Sequence, residues 1–274
     1  MHGYLLTIAY DGSAFAGWQR QEGFGTVQQA LEDAMLAILG EPVVVHGAGR
    51  TDAGVHALRQ TAHIRIPRDF VPDRLLAALN GNLPSPVRVV AVRRIPLQFH
   101  ARFSAVGKRY VYRTLVSRIA PVFERGRRHW VRRSCDVDRM RRAARHLLGE
   151  HDFAAFATNP GYERKRGTVR RIDHLHVVRR GVGFDIAVQG NGFLYNMVRA
   201  IAGTLIEVGV GKREPDEVAA ILASRDRRRA GENAPPEGLY LLRVLYPRHA
   251  FRFADPGDPF APEPPGTERE VGSR

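Results

Sequence analysis

Residues 43–66 read Val-Val-Val-His-Gly-Ala-Gly-Arg-Thr-Asp-Ala-Gly-Val-His-Ala-Leu-Arg-Gln-Thr-Ala-His-Ile-Arg-Ile. Both ends of this stretch predict strands. Val43–His46 is a short run of β-formers, and Ala62, Ile64 and Ile66 alternate with His63 and Arg65 as in a half-buried strand. Between them three glycines fall within eight residues, which marks an irregular loop and not the interior of an element. A dinucleotide loop would need a further glycine three residues after Gly49 and a helix behind it, but position 52 is Asp52 and a strand follows. A phosphate loop would need Gly-Lys-Ser/Thr, which the stretch lacks. What the loop presents is one carboxylate, Asp52, two residues from Arg50. An arginine within reach favours an ionised carboxylate. A positioned carboxylate serves as nucleophile or general base. The plainer reading is an aspartate that caps a turn, and the residues by themselves leave both open.

Outward from this loop the chain reads as strands mixed with helices. Tyr4–Tyr10 predicts a strand ended by the turn pair Asp11-Gly12. Thr26 and Gln29 have capping-box spacing, and Val27, Ala30, Leu31, Ala34, Ile38 and Leu39 recur at helical spacing until Gly40. A short helix around Arg74–Leu79 and a strand at Val87–Val92 follow. A similar series restarts near Arg109: a strand over Arg109–Leu115, then a helix over Val137–Leu148 with Asp136 or Asp138 as cap and Gly149 as stop. Strands at Arg171–Val178 and Gly183–Gln189 come next. Leu194–Val208 predicts a helix whose apolar stripe is Leu194, Met197, Val198, Ile201, Leu205 and Val208, and a last helix runs from Pro215 to about Ala223. The expected class is α+β, two similar halves (1–105 and 106–250) meeting near Phe103–Gly107. Residues 251–274 hold five prolines, three glycines and five acids, a composition expected of a disordered tail.

Charge points to the partner. Against 28 acidic residues stand 42 basic ones, a net charge of +14, and all but Lys108, Lys165 and Lys212 are arginine. Such a surplus favours a polyanion, and arginine both forks phosphates and stacks on bases. No stretch is long and free of charge enough to span a membrane: Phe193–Gly211 contains Asn196, Arg199 and Glu207. No basic region precedes Tyr4–Tyr10, so no signal peptide is expected. One cysteine, Cys135, excludes an internal disulfide and fits a reducing, cytoplasmic compartment. The 11 histidines and Cys135 form no zinc-type spacing, so no metal is expected.

Gly49-Arg50-Thr51-Asp52-Ala53-Gly54-Val55-His56 resembles the signature of the tRNA pseudouridine synthase A family. Four further blocks resemble that family in its order. They are Tyr10-Asp11-Gly12 with Gly17-Trp18-Gln19-Arg20-Gln21; His100-Ala101-Arg102-Phe103-Ser104-Ala105 with Lys108-Arg109-Tyr110-Val111-Tyr112; Gly192 to Arg199; and Glu237-Gly238-Leu239-Tyr240-Leu241. Together they span about residues 4–247, leaving only the tail outside.

The resemblance implies two α/β sandwich-like halves with mostly antiparallel sheets around a central RNA-binding cleft. It implies isomerisation of uridine to pseudouridine at positions 38, 39 and 40 in the anticodon arm of tRNA, by a homodimer using no cofactor and no metal. By the resemblance Asp52 is the nucleophile, at the ribose C1′ or the uracil C6. Arg50 then holds phosphate or the space left by the flipped base, and Arg199 pairs with Asp52. Tyr110 stacks on the uracil, and its hydroxyl serves as acid or base, with Lys108, Arg109 and Arg199 expected to lower its pKa. Tyr112 points to the same strand face and competes for the role. Trp18 and Arg20 are read either as RNA contacts or, for Trp18, as core. Two other classes remain: an RNA-binding protein without turnover, and a glycoside hydrolase, which needs a second carboxylate that the motif region lacks.

Overall fold

The computed structural model describes residues 1–159 and 167–251. The first half contains β1 (His2–Tyr10), α1 (Val27–Leu39), β2 (His46–Gly47), β3 (His56–Ile66), α2 (Pro72–Asn82) and β4 (Val87–Ile95). The second contains β5 (Gly107–Val116), β6 (His129–Val131), α3 (Val137–Arg145), β7 (Gly149–Asp152), β8 (Val169–Arg180), β9 (Gly183–Gly190), α4 (Met197–Gly209), α5 (Glu217–Ser224) and β10 (Leu239–Leu245). The strands make one mostly antiparallel sheet in the order β4-β1-β3-β10-β5-β9-β8-β7, with β2 beside β3 and β6 beside β5. Among the described strands only β10 on β3 and β6 on β5 run parallel. No described helix is long and apolar enough to cross a membrane.

Local chemistry explains the helix ends. Thr26 Oγ1 accepts from the Gln29 amide at 3.3 Å to open α1, and Gly40 closes it at φ 79°. Asp136, not Asp138, caps α3, accepting from the amides of residues 138 and 139. That helix ends at Arg145, before the expected Leu148, because Gly149 takes φ 95° and opens β7. The expected start of α4 at Leu194 also shifts. Asn196 turns left-handed at φ 61°, so the helix begins at Met197 and Arg199 falls in its first turn.

Two strand readings need correction. Val43–Val45 is not strand: the Val45 amide donates to Glu32 and its carbonyl accepts from Gln28, so side chains of α1 replace a ladder. Only His46 and Gly47 pair with β3. β3 is longer than expected, and His63 is fully buried, because the His46 and His100 rings pack on it and the Ala101 amide bonds its Nδ1. The expected tail lies outside the described residues except for Phe251. That ring packs instead, 5.4 Å from Phe99 and with the Arg93 guanidinium 3.8 Å above it.

Burial, with the neighbouring His100, His46 and Arg65, pushes the His63 imidazole down to about 4. An unfolded histidine takes its proton near pH 6.5, roughly. Between those values the unfolded chain binds a proton that the folded chain refuses. The contribution is therefore present above the unfolded value and lost as pH falls. By linkage the loss reaches roughly 3 kcal/mol near pH 4. Urea midpoints at pH 7 and pH 4.5 check this, and His63→Gln should remove most of the His63 share of the decline.

Candidate active site

The loop between β2 and β3 carries Asp52 and is tied down on several sides. The Trp18 amide donates to the Thr51 carbonyl at 3.0 Å, the Gly54 amide to Gly12 at 3.2 Å, and the Val55 amide to Asp52's own carbonyl at 3.1 Å. Gln60 donates to the Gly49 carbonyl at 3.0 Å, and the Tyr10 and Thr51 hydroxyls meet at 2.8 Å. Gly17 sits at φ 102°, where a Cβ would stand 2.8 Å from the Thr51 oxygen. Its bare backbone lets the N-terminal segment press against the loop. At the loop's foot, burial lowers the pKa of His56. Its Nδ1 accepts from the Gly12 amide at 3.0 Å, and Nε2 faces the Gly126 carbonyl at 2.9 Å.

Arg199 reaches this loop from the first turn of α4. Its Nη1 donates to Asp52 Oδ2 at 3.2 Å and to Asn196 Oδ1 at 3.2 Å, while Nε donates to the Ala234 carbonyl at 2.8 Å. Three acceptors on three segments hold the guanidinium, a geometry that its planar fork suits. Asp52 Oδ1 has no hydrogen-bond partner among the described residues.

A cleft of about 1860 Å³ opens over Asp52, lined from residues 46–55, 100–110 and 191–199 among others. That is larger than the roughly 300–1,000 Å³ of small-molecule sites. Asp52 is the one carboxylate among the described lining residues, against Arg50, Arg102, Lys108, Arg170 and Arg199. The structure thus brings Asp52, Arg199, Tyr110 and Arg50 to one cleft. Arg50 is exposed there, and no described residue pairs with it.

Tyr110 lines the cleft and lies edge-on to Phe193, ring centroids 5.3 Å apart. Tyr112 is occupied elsewhere: its hydroxyl donates to the Pro235 carbonyl at 2.8 Å, and the ring packs under Gly238. The expected lowering of the Tyr110 pKa is reversed. Burial raises it, and the charges of Tyr10 and Asp52 add to the rise. Arg109 points away and binds Gln189, and Arg199 is engaged by its three acceptors. Trp18 is core, 3% exposed and packed on Gly47; Arg20 pairs with Glu32 at 2.9 Å.

Asn196 was not singled out from the sequence by itself, though its left-handed turn aims Arg199. The only sequence signal is an asparagine just before a helical stripe, a residue type tolerant of φ above zero. Lys108 is a second. It packs against Gly49, and burial plus the neighbouring Arg102 pushes its ammonium down to about 8.

A family model described as tRNA pseudouridine synthase matches residues 6–104 and 143–247 of this chain. The tRNA pseudouridine synthase A of Zymomonas mobilis is 41% identical over 247 residues, covering 90% of this chain and 100% of that protein. That of Rhodopseudomonas palustris is 46% identical over 244 residues, 89% of this chain and 98% of its own length. That of Methylacidiphilum infernorum is 46% identical over 245 residues, 89% and 96%.

Proposed function

We propose a mechanism from one premise: the chain belongs to the tRNA pseudouridine synthase family, the isomerases that turn uridine in tRNA into pseudouridine. Our reading is that it acts on positions 38, 39 and 40 of the anticodon arm, with Asp52 as nucleophile. The observation that carries it is Asp52, the lone carboxylate among the described residues of a cationic cleft, clamped by Arg199 at 3.2 Å through one oxygen.

The reaction conserves atoms. The bond from C1′ to N1 breaks, the uracil turns, C1′ joins C5, and a proton leaves C5 while one is gained at N1. The base must first leave its stack, which costs a few kcal/mol, roughly. Attack at the ribose C1′ and attack at the uracil C6 make the same demand: one uncommitted carboxylate oxygen facing the flipped nucleotide. Oδ1 meets it, while Arg199 holds Oδ2 and fixes the side chain's angle. Tyr110 offers a ring face to the uracil. Its raised pKa keeps the hydroxyl protonated, so it acts as a donor or acid at the base. Arg50 takes phosphate at the mouth or fills the vacated stack. A glycoside hydrolase would need a second acid, and no other described lining residue is a carboxylate.

Release of tritium from C5-labelled uridine in tRNA tests the reaction; no release from any of the three positions would reject the assignment. The resemblance also implies a homodimer, which sedimentation of the full chain reads directly, and a tRNA substrate assigns the work to the cytoplasm. Because the cleft is cationic and the chain carries +14, binding should be strongly salt-dependent. Each phosphate contact contributes a slope of about −0.7 to −0.9 in log K against log salt. Four contacts would cost close to a thousandfold per decade of salt, by the same arithmetic. A flat plot would contradict a phosphate-dominated mode.

A further inference from the structure

Phe103 is 66% exposed, yet it lines the same cleft as Asp52. Behind it runs a ladder of rings. Phe103 lies 4.3 Å from His100, His100 lies 4.6 Å from His63, and His63 is fully buried in the body of the sheet. The ladder therefore starts in the core and ends with a largely exposed aromatic ring lining a basic cavity, the Arg102 guanidinium over it at 5.8 Å from the ring centroid. Five residues further on, Lys108 lines the same wall. It lies two residues before Tyr110 on β5, and so on the same strand face. No described carboxylate pairs with Lys108, and the charged neighbour that acts on it is another cation, Arg102. A half-buried ammonium with no described carboxylate paired to it is poised for an anion from outside.

We propose that Phe103 and Lys108 form a nucleotide subsite for a second nucleotide of the bound RNA, distinct from the isomerised uridine, with its base stacked on Phe103 and its phosphate on Lys108. This rests on the tRNA reading above. An unpaired base offers a face to Phe103 whatever its identity, so the subsite holds RNA without reading sequence. It also fixes how far the strand is pulled past Asp52.

The test is equilibrium binding of an anticodon-arm RNA to the full chain across a salt series, with melting temperature and sedimentation on each variant. Phe103→Leu keeps an apolar side chain but removes the stacking face. It should weaken binding by roughly five- to a hundredfold with the salt slope unchanged, and Phe103→Trp should restore it. Lys108→Met should make the slope shallower by about 0.7, and Lys108→Arg should keep it. Wild-type affinity in Phe103→Leu, or an unchanged slope in Lys108→Met, overturns the subsite. So does Phe103→Leu shifting the oligomeric state at unchanged affinity, which would give this face to a second copy of the chain. If the unmodified chain neither binds the RNA nor releases tritium from it, the tRNA reading itself fails. If it does both and the variants match it, only the subsite fails.

Discussion

Asp52→Asn should leave the protein folded and able to bind tRNA while turnover falls by more than a hundredfold. The loop does not depend on the carboxylate for its shape. Its anchors are the backbone bonds to Trp18, Gly12 and Val55 and the Gln60 contact to Gly49. The asparagine keeps the volume, and its amide oxygen can still accept from Arg199 Nη1, which the Asn196 and Ala234 oxygens hold in place. What disappears is the anionic oxygen able to form a bond. Loss of a covalent nucleophile typically costs several orders of magnitude, so the prediction needs only about 3 kcal/mol of the barrier. Tritium release under single-turnover conditions, beside tRNA affinity, separates the two effects. Activity above about one per cent of wild type would remove Asp52 from the covalent step. An equal collapse of affinity would make it a binding residue.

Tyr110→Phe should slow single turnover by roughly a hundredfold with affinity held. Phenylalanine preserves the stacking face and the packing on Phe193, so a pure stacking role would lose little. Removing a placed proton donor typically costs about 10²–10⁴. Because burial and the nearby Asp52 raise this hydroxyl's pKa, it stays a phenol across the working range. The wild-type rate should then show no rising limb from Tyr110 up to about pH 10, the ordinary tyrosine value. A limb below that, absent in Tyr110→Phe, would mean a standing phenolate base. Tyr112→Phe is the control: it loses one hydrogen bond to Pro235, worth about 1 kcal/mol of stability, and should turn over normally. The opposite pattern would transfer the role to Tyr112.

Local patterns carried well where the signal was itself local. Thr26 and Gly40 bound α1, and the stripe from Met197 to Val208 lies on one face of α4, because capping and period are properties of neighbouring residues. β10 shows the opposite. Leu239–Leu245 has no alternation to mark it as a strand, yet it sits between β3 and β5 and joins the two halves of the sheet. Its place is decided by pairing with strands more than a hundred residues away. β6 and β7, three and four residues long, are too short to leave a period.

At the site the division falls between chemistry and geometry. The residue types were legible from the chain: a glycine-framed Asp52, an arginine surplus, and a pair of tyrosines on β5. So was membership in a family, since five motif blocks in order are a linear property. Strand spacing by itself could not say which tyrosine faces the cleft, because Tyr110 and Tyr112 share a strand face; the resemblance chose Tyr110 and left Tyr112 to packing. The Pro235 carbonyl, brought in from beyond α5, settles Tyr112. Nor could the sequence give the sign of the Tyr110 pKa. Nearby cations in the sequence suggested a fall, whereas Arg109 projects to the other face and burial raises the value. Residue order specifies which charges exist; only the folded chain decides the distance, facing and water around each, and the energy of a charge depends on those.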